Sequence, residues 1–283
     1  MEKDIGSGQV PTWCPGCGDY VILGSLKAAI TELGLDLHNT VIVSGIGCGS
    51  KTPHFIRAYG FEGLHGRTLP VATGIKLSNH ELNVIVIGGD GDGYGIGGNH
   101  FMHTARRNLN ITYIIQNNEV YGLTKGQYSP TSMKGFVSPS TPEGALEEPV
   151  NPITLSISAG ATFVARSHSM DLGYTKQMIK EGIQHKGFAV IDVFQLCPTY
   201  NKIINAQFFR ENLYKLGPDH DVTHKVKAFE KGLEHYPKIP YGVFYKEEGK
   251  PTYEEGLPQL KEKVLVKQNI SAVDISPLLK KFR

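Results

Sequence analysis

The stretch NVIVIGGDGDGYGIGG (residues 83–98) decides the fold class. It begins as a nearly continuous apolar run, which is typical of a strand that is covered on both faces in a parallel sheet. Glycines and aspartates follow at once, and a helical pattern begins near residue 98. A strand that leads through a glycine-rich loop into a helix is the opening of a βαβ unit. The stretch therefore predicts an α/β domain.

The sequence on both sides repeats this alternation. Further strands are predicted at 40–45, 111–117, 161–167 and 188–194, and helices at 19–34, 98–108 and 170–187. This order predicts a mostly parallel sheet with helices on both faces and right-handed crossovers. Prolines and glycines predict a long loop at 125–153, and loops of that length are usually functional or disordered.

The last third of the chain has a different pattern. A helix is predicted at 219–236, and residues 239–255 are extended and polar in pattern, more an arm than a second domain. We therefore predict an α/β domain at 1–210, including its N-terminal Cys-x-x-Cys segment. Residues 211–283 are predicted to be a helix and an extended arm of the same unit.

Composition excludes several classes of function. The 283 residues are 40% hydrophobic and 20% charged, which is typical of a globular domain, and the net charge of +2 gives no support for binding nucleic acid. No apolar run approaches the ~20 residues of a membrane helix. The polar N-terminus, MEKDIGSGQV, does not resemble a secretory signal. We expect a cytoplasmic protein without a membrane partner, and structural disulfides are rare in that compartment.

The chain has only four cysteines, and their positions suggest a shared site. Cys14 and Cys17 lie in TWCPGCGDY (12–20), whereas Cys48 and Cys197 each follow a predicted strand. Four thiolates from three loops could bind Zn²⁺ or an iron–sulfur cluster, and the spacing fits either. A thioredoxin-like pair is a third alternative, but it leaves Cys48 and Cys197 without a role.

The glycine-rich loop also allows two interpretations. Gly93, Gly95 and Gly98 match G-x-G-x-x-G, which suggests a dinucleotide, but the match begins four residues beyond the strand and lacks a well-placed acidic residue for the ribose. Asp90 and Asn118 follow two strands of the predicted sheet and should meet at one edge. Oxygen ligands there suit Mg²⁺ with a diphosphate, although either residue alone is common in turns.

The spacing of GDG (89–91) and NN (117–118) resembles the motif of thiamine diphosphate enzymes. The chain more specifically resembles the β subunit of 2-oxoacid:ferredoxin oxidoreductases. The similar segments are CPGCGDY (14–20), GIGCGSK (45–51), LHGRTLPVATGIK (64–76), NNEVYGLTKGQYSPTS (117–132), CPTYN (197–201) and GVFYKEEGKPTYEE (242–255). The resemblance implies a thiamine diphosphate-binding fold.

The resemblance also implies the ligands of three cofactors. A [4Fe–4S] cluster would be held by Cys14, Cys17, Cys48 and Cys197. Mg²⁺ would be held by Asp90, the side chain of Asn118 and the backbone carbonyl of Val120. The implied contacts of thiamine diphosphate are Ile46, Gly47, Cys48, His65, Gly89, Gly91, Asp92, Asn118, Tyr121, Gly122, Leu123 and Thr124.

The implied reaction converts a 2-oxoacid and CoA to acyl-CoA and CO₂ and passes electrons through the cluster to ferredoxin. An α subunit would supply the glutamate that activates the thiamine pyrimidine, so this chain alone should be inactive. His65 and Lys51 are candidate residues at the reacting centre, and a cation at Lys51 favours 2-oxoglutarate. The alternatives are a pyruvate-specific member, a thiamine enzyme without redox chemistry, and a zinc-stabilised nucleotide-binding protein.

Overall fold

The computed structural model describes residues 5–271 and 273–282. Its strands are β1 (Thr40–Ser44), β2 (Tyr59–Glu62), β3 (Asn83–Gly89), β4 (Ile111–Asn117), β5 (Val120–Tyr121), β6 (Gln127–Tyr128), β7 (Phe163–His168), β8 (Phe188–Phe194), β9 (Leu213–Lys215) and β10 (Ile239–Lys246). Its α-helices are α1 (Asp19–Glu32), α2 (Thr68–Ser78), α3 (Gly98–Arg107), α4 (Pro152–Ala159), α5 (Leu172–Gln184), α6 (Ala206–Asn212), α7 (Lys225–Gly232) and α8 (Ser276–Leu279). Among these residues, no helix is long and apolar enough to cross a membrane.

Eight strands form one sheet in the order β2-β1-β3-β4-β8-β7-β10-β9. Every neighbouring pair is parallel except β10 with β7. The central strands β4 and β8 are buried at every position, as expected for strands covered on both faces. The predicted mostly parallel sheet is confirmed.

Helices pack on both faces of this sheet. On one face, Leu69 of α2, Phe101 of α3 and Ile153 of α4 share an apolar core with alternate strand residues such as Val43. The other face is covered by α1 and α5, which pack against the intervening strand residues. This alternation follows from the two-residue period of a strand.

Several short elements escaped the sequence prediction. The edge strand β2 is four residues long and exposed at every position, so it has no buried apolar pattern. Helix α4 begins inside the predicted loop 125–153: Asn151 caps it by accepting hydrogen bonds from the N–H groups of Ile153 and Thr154, and Pro152 suits the first helical position.

The C-terminal third is partly as predicted. The helix expected at 219–236 forms only as α7, and the extended arm joins the main sheet as β10 before leaving it after Lys246. The short strand β9 was not anticipated, because three residues carry no readable pattern. The domain boundary at residue 210 stays a prediction.

The functional edge lies where the parallel strands end. β1, β3, β4 and β8 run in one direction, so the loops that begin after Ser44, Gly89, Asn117 and Phe194 emerge side by side. Ligands bind at this edge in open α/β sheets. A small hairpin of β5 and β6 extends the loop that follows β4.

Candidate functional site

A cleft of about 160 Å³ opens at the carboxyl edge of the strands. The loops after β1, β3, β4 and β8 all contribute to its wall. Every residue predicted to contact the cofactor lines it: Ile46, Gly47, Cys48, His65, Gly89, Gly91, Asp92, Asn118, Tyr121, Gly122, Leu123 and Thr124. Asp90 and Val120, the other predicted magnesium ligands, line the same cleft.

Asp90 is buried at the start of the glycine-rich loop. Its Oδ2 accepts hydrogen bonds from Ser129 Oγ and, at 2.7 Å, from Thr131 Oγ1. Burial raises the pKa of Asp90 to about 6, and the two hydroxyl donors act in the opposite direction. The two hydroxyls therefore fix the direction of a carboxylate whose charge is costly without a partner.

Asn118 is fixed by its own loop. Its Oδ1 accepts from the backbone N–H of Val120 at 3.1 Å, which forms an Asx turn, and its backbone carbonyl accepts from Asn201 Nδ2 at 3.0 Å. Glu119, which lies between Asn118 and Val120 in the chain, has a φ of 54°, in the left-handed region. The turn brings the side chain of Asn118 and the backbone of Val120 to the same wall.

Glu119 itself points away from solvent and is buried. Its Oε1 accepts from the hydroxyl of Tyr236 at 2.6 Å. Burial raises the pKa of Glu119 to about 8, with a smaller opposing effect from that hydrogen bond. The residue in the middle of the predicted cofactor motif is therefore paired with the C-terminal third of the chain.

Asp92 ties together three loops of the site. Its Oδ1 accepts from the backbone N–H groups of Gly66 at 2.7 Å and Ile46 at 3.1 Å, and it lies 2.9 Å from Nδ1 of His65. Thr68 Oγ1 donates to Oδ2 at 3.4 Å. Asp92 thus orients His65 and the loop after β1; its expected contact with a diphosphate stays a prediction.

The glycine at position 91 is required by packing. A Cβ atom at Gly91 would lie 2.1 Å from Cε1 of Tyr121, far inside van der Waals contact. The hydroxyl of Tyr121 donates to the backbone carbonyl of Gly91 at 3.3 Å, which holds the ring there. Gly91 of the GDG motif therefore leaves the space that the ring of Tyr121 occupies in the cleft wall.

Two glutamines in the cleft were missed by the sequence analysis. Gln116 and Gln195 both line it, and the side-chain amide atoms of Gln116 are buried without a hydrogen-bond partner among the described residues. Gln116 precedes the Asn117-Asn118 pair, and Gln195 follows the last residue of β8. Their positions at the ends of two central strands were the signal that could have identified them.

The cysteines approach the cleft from one side. A Cβ atom at Gly122 would lie 3.5 Å from Sγ of Cys48 and 3.7 Å from Sγ of Cys197, so both thiols face this glycine. Besides burial, the charges of Cys14 and Cys197 add to the raised pKa of Cys48, and that of Cys197 adds to the raised pKa of Cys17. The four thiols therefore share one region. No three His, Cys, Asp or Glu side chains within 5–271 and 273–282 form a group that could hold a metal ion.

Cys17 and Cys197 are buried, and Cys48 is partly buried. Burial raises the pKa of Cys17, Cys48 and Cys197, that of Cys48 to about 11. Cys14, by contrast, is exposed. Cys17 donates from its thiol to Oδ2 of the buried Asp19 at 3.3 Å.

The N-terminal segment is attached to the sheet at two points. Trp13 Nε1 donates to the backbone carbonyl of Cys48 at 2.6 Å, and the N–H of Gly18 donates to the carbonyl of Leu196 at 3.0 Å. These bonds place the Cys-x-x-Cys turn against the loops after β1 and β8. The sequence predicts strand-end positions for Cys48 and Cys197, and for Cys14 and Cys17 it indicates only that they could join them from the N-terminal segment.

Lys51 lies beside the site rather than in the cleft wall. Its Nζ donates to Thr12 Oγ1 at 3.3 Å, and it does not line the cleft. Its positive charge lowers the pKa of Asp19, against the larger effect of burial. Its predicted pairing with a substrate carboxylate stays a prediction.

Family models match almost the whole site. Residues 45–193 match the thiamine pyrophosphate enzyme, C-terminal TPP binding domain, and residues 197–262 match the C-terminal region of the pyruvate ferredoxin oxidoreductase beta subunit. The first match includes the glycine-rich loop, the Asn117-Asn118 pair and Cys48. It therefore favours the thiamine interpretation of this loop over the dinucleotide interpretation.

Relatives with high sequence identity support the same oxidoreductase family. The chain is 49% identical to 2-oxoacid:ferredoxin oxidoreductase 1, subunit beta, of Aeropyrum pernix over 94% of this chain and 89% of the relative. It is 48% identical to the 2-oxoglutarate oxidoreductase subunit KorB of Mycobacterium tuberculosis over 70% of this chain and 53% of the relative.

A solved structure has the same fold over the whole chain. The 2-oxoglutarate:ferredoxin oxidoreductase of Magnetococcus marinus, solved with 2-oxoglutarate, coenzyme A and succinyl-CoA bound, has a TM-score of 0.92 and 38% identity. The likeness covers 100% of this chain and 96% of that chain. The resemblance seen in the sequence is confirmed: this chain belongs to the β subunits of the 2-oxoacid:ferredoxin oxidoreductases, an enzyme family whose β subunits work with an α subunit.

Proposed function

We propose that this β subunit binds thiamine diphosphate with Mg²⁺ in the cleft and a [4Fe–4S] cluster on its four cysteines. With its α subunit it oxidatively decarboxylates a 2-oxoacid, with 2-oxoglutarate favoured, forms acyl-CoA, and passes electrons to ferredoxin. One observation carries the proposal: Gly122 belongs to the cleft wall and is also the residue that two cysteine thiols face. The two candidate sites are therefore adjacent.

The donor set in the cleft fits a magnesium diphosphate. Asp90, the Asn118 side chain and the Val120 carbonyl supply oxygen ligands, which Mg²⁺ prefers, and diphosphate oxygens can complete its coordination. Gln116 adds a buried amide with no protein partner among the described residues. A buried amide of this kind is normally satisfied by a ligand or an ordered water.

The thiols match an iron–sulfur cluster in number and kind, although among the described residues no three of them form a group that could hold a single metal ion. The chain's four cysteines are all free, and four thiolates are the usual ligand set of a [4Fe–4S] cluster. The lack of a side chain at Gly122 leaves room between the thiols and the cleft. Burial favours the neutral thiols, so metal binding would have to displace their protons.

When bound, thiamine diphosphate supplies the decarboxylation chemistry and the cluster supplies one-electron transfer. The chain's own residues would bind these cofactors and orient the side chains around them. An ionised carboxylate can only accept, so Nδ1–H of His65 donates a hydrogen bond to Asp92, and in the neutral imidazole the other ring nitrogen, Nε2, is then an acceptor. Tyr121, seated on Gly91, closes one wall of the cleft.

The missing groups would come from partners. The α subunit would supply the glutamate that contacts the pyrimidine and a share of the CoA site, and ferredoxin would accept the electrons. The bound CoA species of the Magnetococcus enzyme, a structural neighbour of this chain, support the CoA step. The preference for 2-oxoglutarate is supported by two neighbours named for that substrate.

The test is anaerobic purification of the chain together with its α subunit, followed by metal, sulfide and thiamine analysis and assay on a panel of 2-oxoacids. We expect about four iron and four sulfide per β subunit, bound thiamine diphosphate, and CoA-dependent reduction of ferredoxin. The variant Asp90→Ala should lose thiamine diphosphate and keep iron, whereas Cys48→Ser should lose iron.

Three results would contradict the proposal or its substrate preference. A colourless protein with zinc in place of iron would support the zinc-stabilised alternative. A well-folded Asp90→Ala variant that loses iron together with thiamine diphosphate would mean that the two sites are not separate. Activity confined to pyruvate would select the pyruvate-specific alternative.

A further inference from the structure

We infer that Gln195 is a positioning residue that joins the two candidate cofactor sites through its side-chain amide. Its Nε2 donates to Sγ of Cys17 at 3.4 Å, and its Oε1 accepts from Nδ2 of Asn118 at 3.3 Å. One amide therefore contacts both a proposed cluster ligand and a proposed magnesium ligand. The inference rests on the proposed function and adds a residue that neither sequence motif includes.

The backbone and side chain of Gln195 are both fixed. Its N–H donates to the carbonyl of Asn117 at 2.8 Å, and only 1% of the residue is exposed. Its Cγ occupies the space beside Gly18, where a Cβ atom would lie 2.7 Å away. Its amide also forms a hydrogen bond with the buried Asp19, which lowers the pKa of that carboxyl, so this fixed side chain has Cys17, Asn118 and Asp19 as its partners.

The hydrogen-bond network determines which end of the amide faces which site. The N–H of Val120 can only donate, so Asn118 must present Oδ1 to it and Nδ2 to Gln195. Gln195 must in turn present Oε1 to that donor, which directs Nε2 to Cys17. The orientation thus follows from an obligatory donor at Val120 and needs no further assumption.

Each end of the amide has its own expected effect. A hydrogen bond to a cluster sulfur stabilises the more negative, reduced state and raises the reduction potential. A partner that orients a metal ligand strengthens metal binding, and its loss typically weakens affinity by about 10- to 100-fold. Gln195 would act on the cluster through Nε2 and on Mg²⁺ through Oε1.

Two substitutions separate these effects. Gln195→Glu keeps an oxygen for Asn118 and, at a pH at which its carboxyl is ionised, has no donor for Cys17, whereas Gln195→Met fills similar space and removes both bonds without adding a charge. Each is made in the anaerobic αβ complex. The readouts are the cluster's reduction potential, by redox titration followed by electron paramagnetic resonance, and Mg²⁺ affinity in the presence of thiamine diphosphate, by calorimetry.

We expect both variants to shift the cluster potential to more negative values. Only Gln195→Met should weaken Mg²⁺ binding, by about tenfold. Gln207→Met is the matched control, because Gln207 is exposed and its amide donates to Glu211, and it should move neither readout.

An unchanged potential in both variants, with a normal cluster signal in the wild-type complex, would overturn the inference. If Gln195→Met fails to load a cluster, Gln195→Glu alone decides: its potential must fall while its Mg²⁺ affinity stays within about twofold of wild type. A wild-type complex that lacks any cluster signal would instead refute the proposed function, and the inference with it.

Discussion

Nδ1 of His65 lies 2.9 Å from Oδ1 of Asp92, an oxygen that also accepts two backbone N–H groups. Hydrogen bonds to an ionised acceptor are about twice as strong as neutral ones. We therefore expect Asp92→Asn to lower the free energy of unfolding of the full chain by about 1–3 kcal/mol. The exposed Asp219→Asn should change it little, and equal effects in chemical denaturation would contradict the role of Asp92 in joining the loops.

A second prediction concerns the hydroxyl that steers Asp90. Thr131→Val keeps the shape of the side chain but removes the donor that lies 2.7 Å from Oδ2 of Asp90. The carboxylate loses one of its two hydroxyl partners, and we expect Mg²⁺ affinity in the presence of thiamine diphosphate to fall about tenfold, measured by calorimetry. Thr223→Val, which changes an exposed hydroxyl bonded to Asp221, is the control. Unchanged affinity in Thr131→Val would mean that Ser129 alone is sufficient.

A third prediction tests why position 91 is glycine. Gly91→Ala would place a Cβ atom 2.1 Å from the ring of Tyr121, so the ring or the loop must move. We expect a loss of about 1–3 kcal/mol in the free energy of unfolding together with weaker thiamine diphosphate binding. Gly98→Ala is the matched control, since nothing lies within 4 Å of its Cβ position and alanine favours a helix. Equal stability in the two variants would show that the loop accommodates the methyl group freely.

The sequence predicted which loops meet at the cleft more fully than it predicted the edges of the fold, while the cofactor roles of the cleft residues stay predictions. Strand ends and motif residues such as Asp90 and Asn118 depend on local pattern and on parallel topology, both of which can be read along the chain. The proposed role of Gln195 depends on its contact with Cys17, which lies 178 residues away in the chain. A contact between such distant residues cannot be predicted from a local sequence pattern. The edge strands β2 and β9 are short and poorly covered, so their residues lack the apolar periodicity that reveals a buried strand.

A fourth prediction concerns pH. Burial, followed by the positive charge of Arg166, lowers the pKa of His235 to about 4. Because the folded pKa lies below the unfolded value of about 6.5, the unfolded state binds more protons between these values. The contribution of His235 to the free energy of unfolding is therefore fully present above pH about 6.5 and is lost as the pH falls through about 4. His235→Gln should therefore lose less thermal stability between pH 7 and pH 4.5 than the wild type, whereas the exposed His38→Gln should follow the wild type.

The last prediction concerns substrate charge and Lys51, whose Nζ lies 3.3 Å from Thr12 Oγ1. A single bond to a neutral hydroxyl contributes only about 1 kcal/mol, so a substrate carboxylate could displace it. We expect Lys51→Ile in the αβ complex to raise KM for 2-oxoglutarate about tenfold and KM for pyruvate much less, because only 2-oxoglutarate carries a distal carboxylate to pair with the ammonium. Thr12→Val should leave KM for 2-oxoglutarate unchanged or lower it, since it frees the same ammonium. Equal increases for both substrates in Lys51→Ile would remove the charge pairing and leave Lys51 with a role in the N-terminal segment alone.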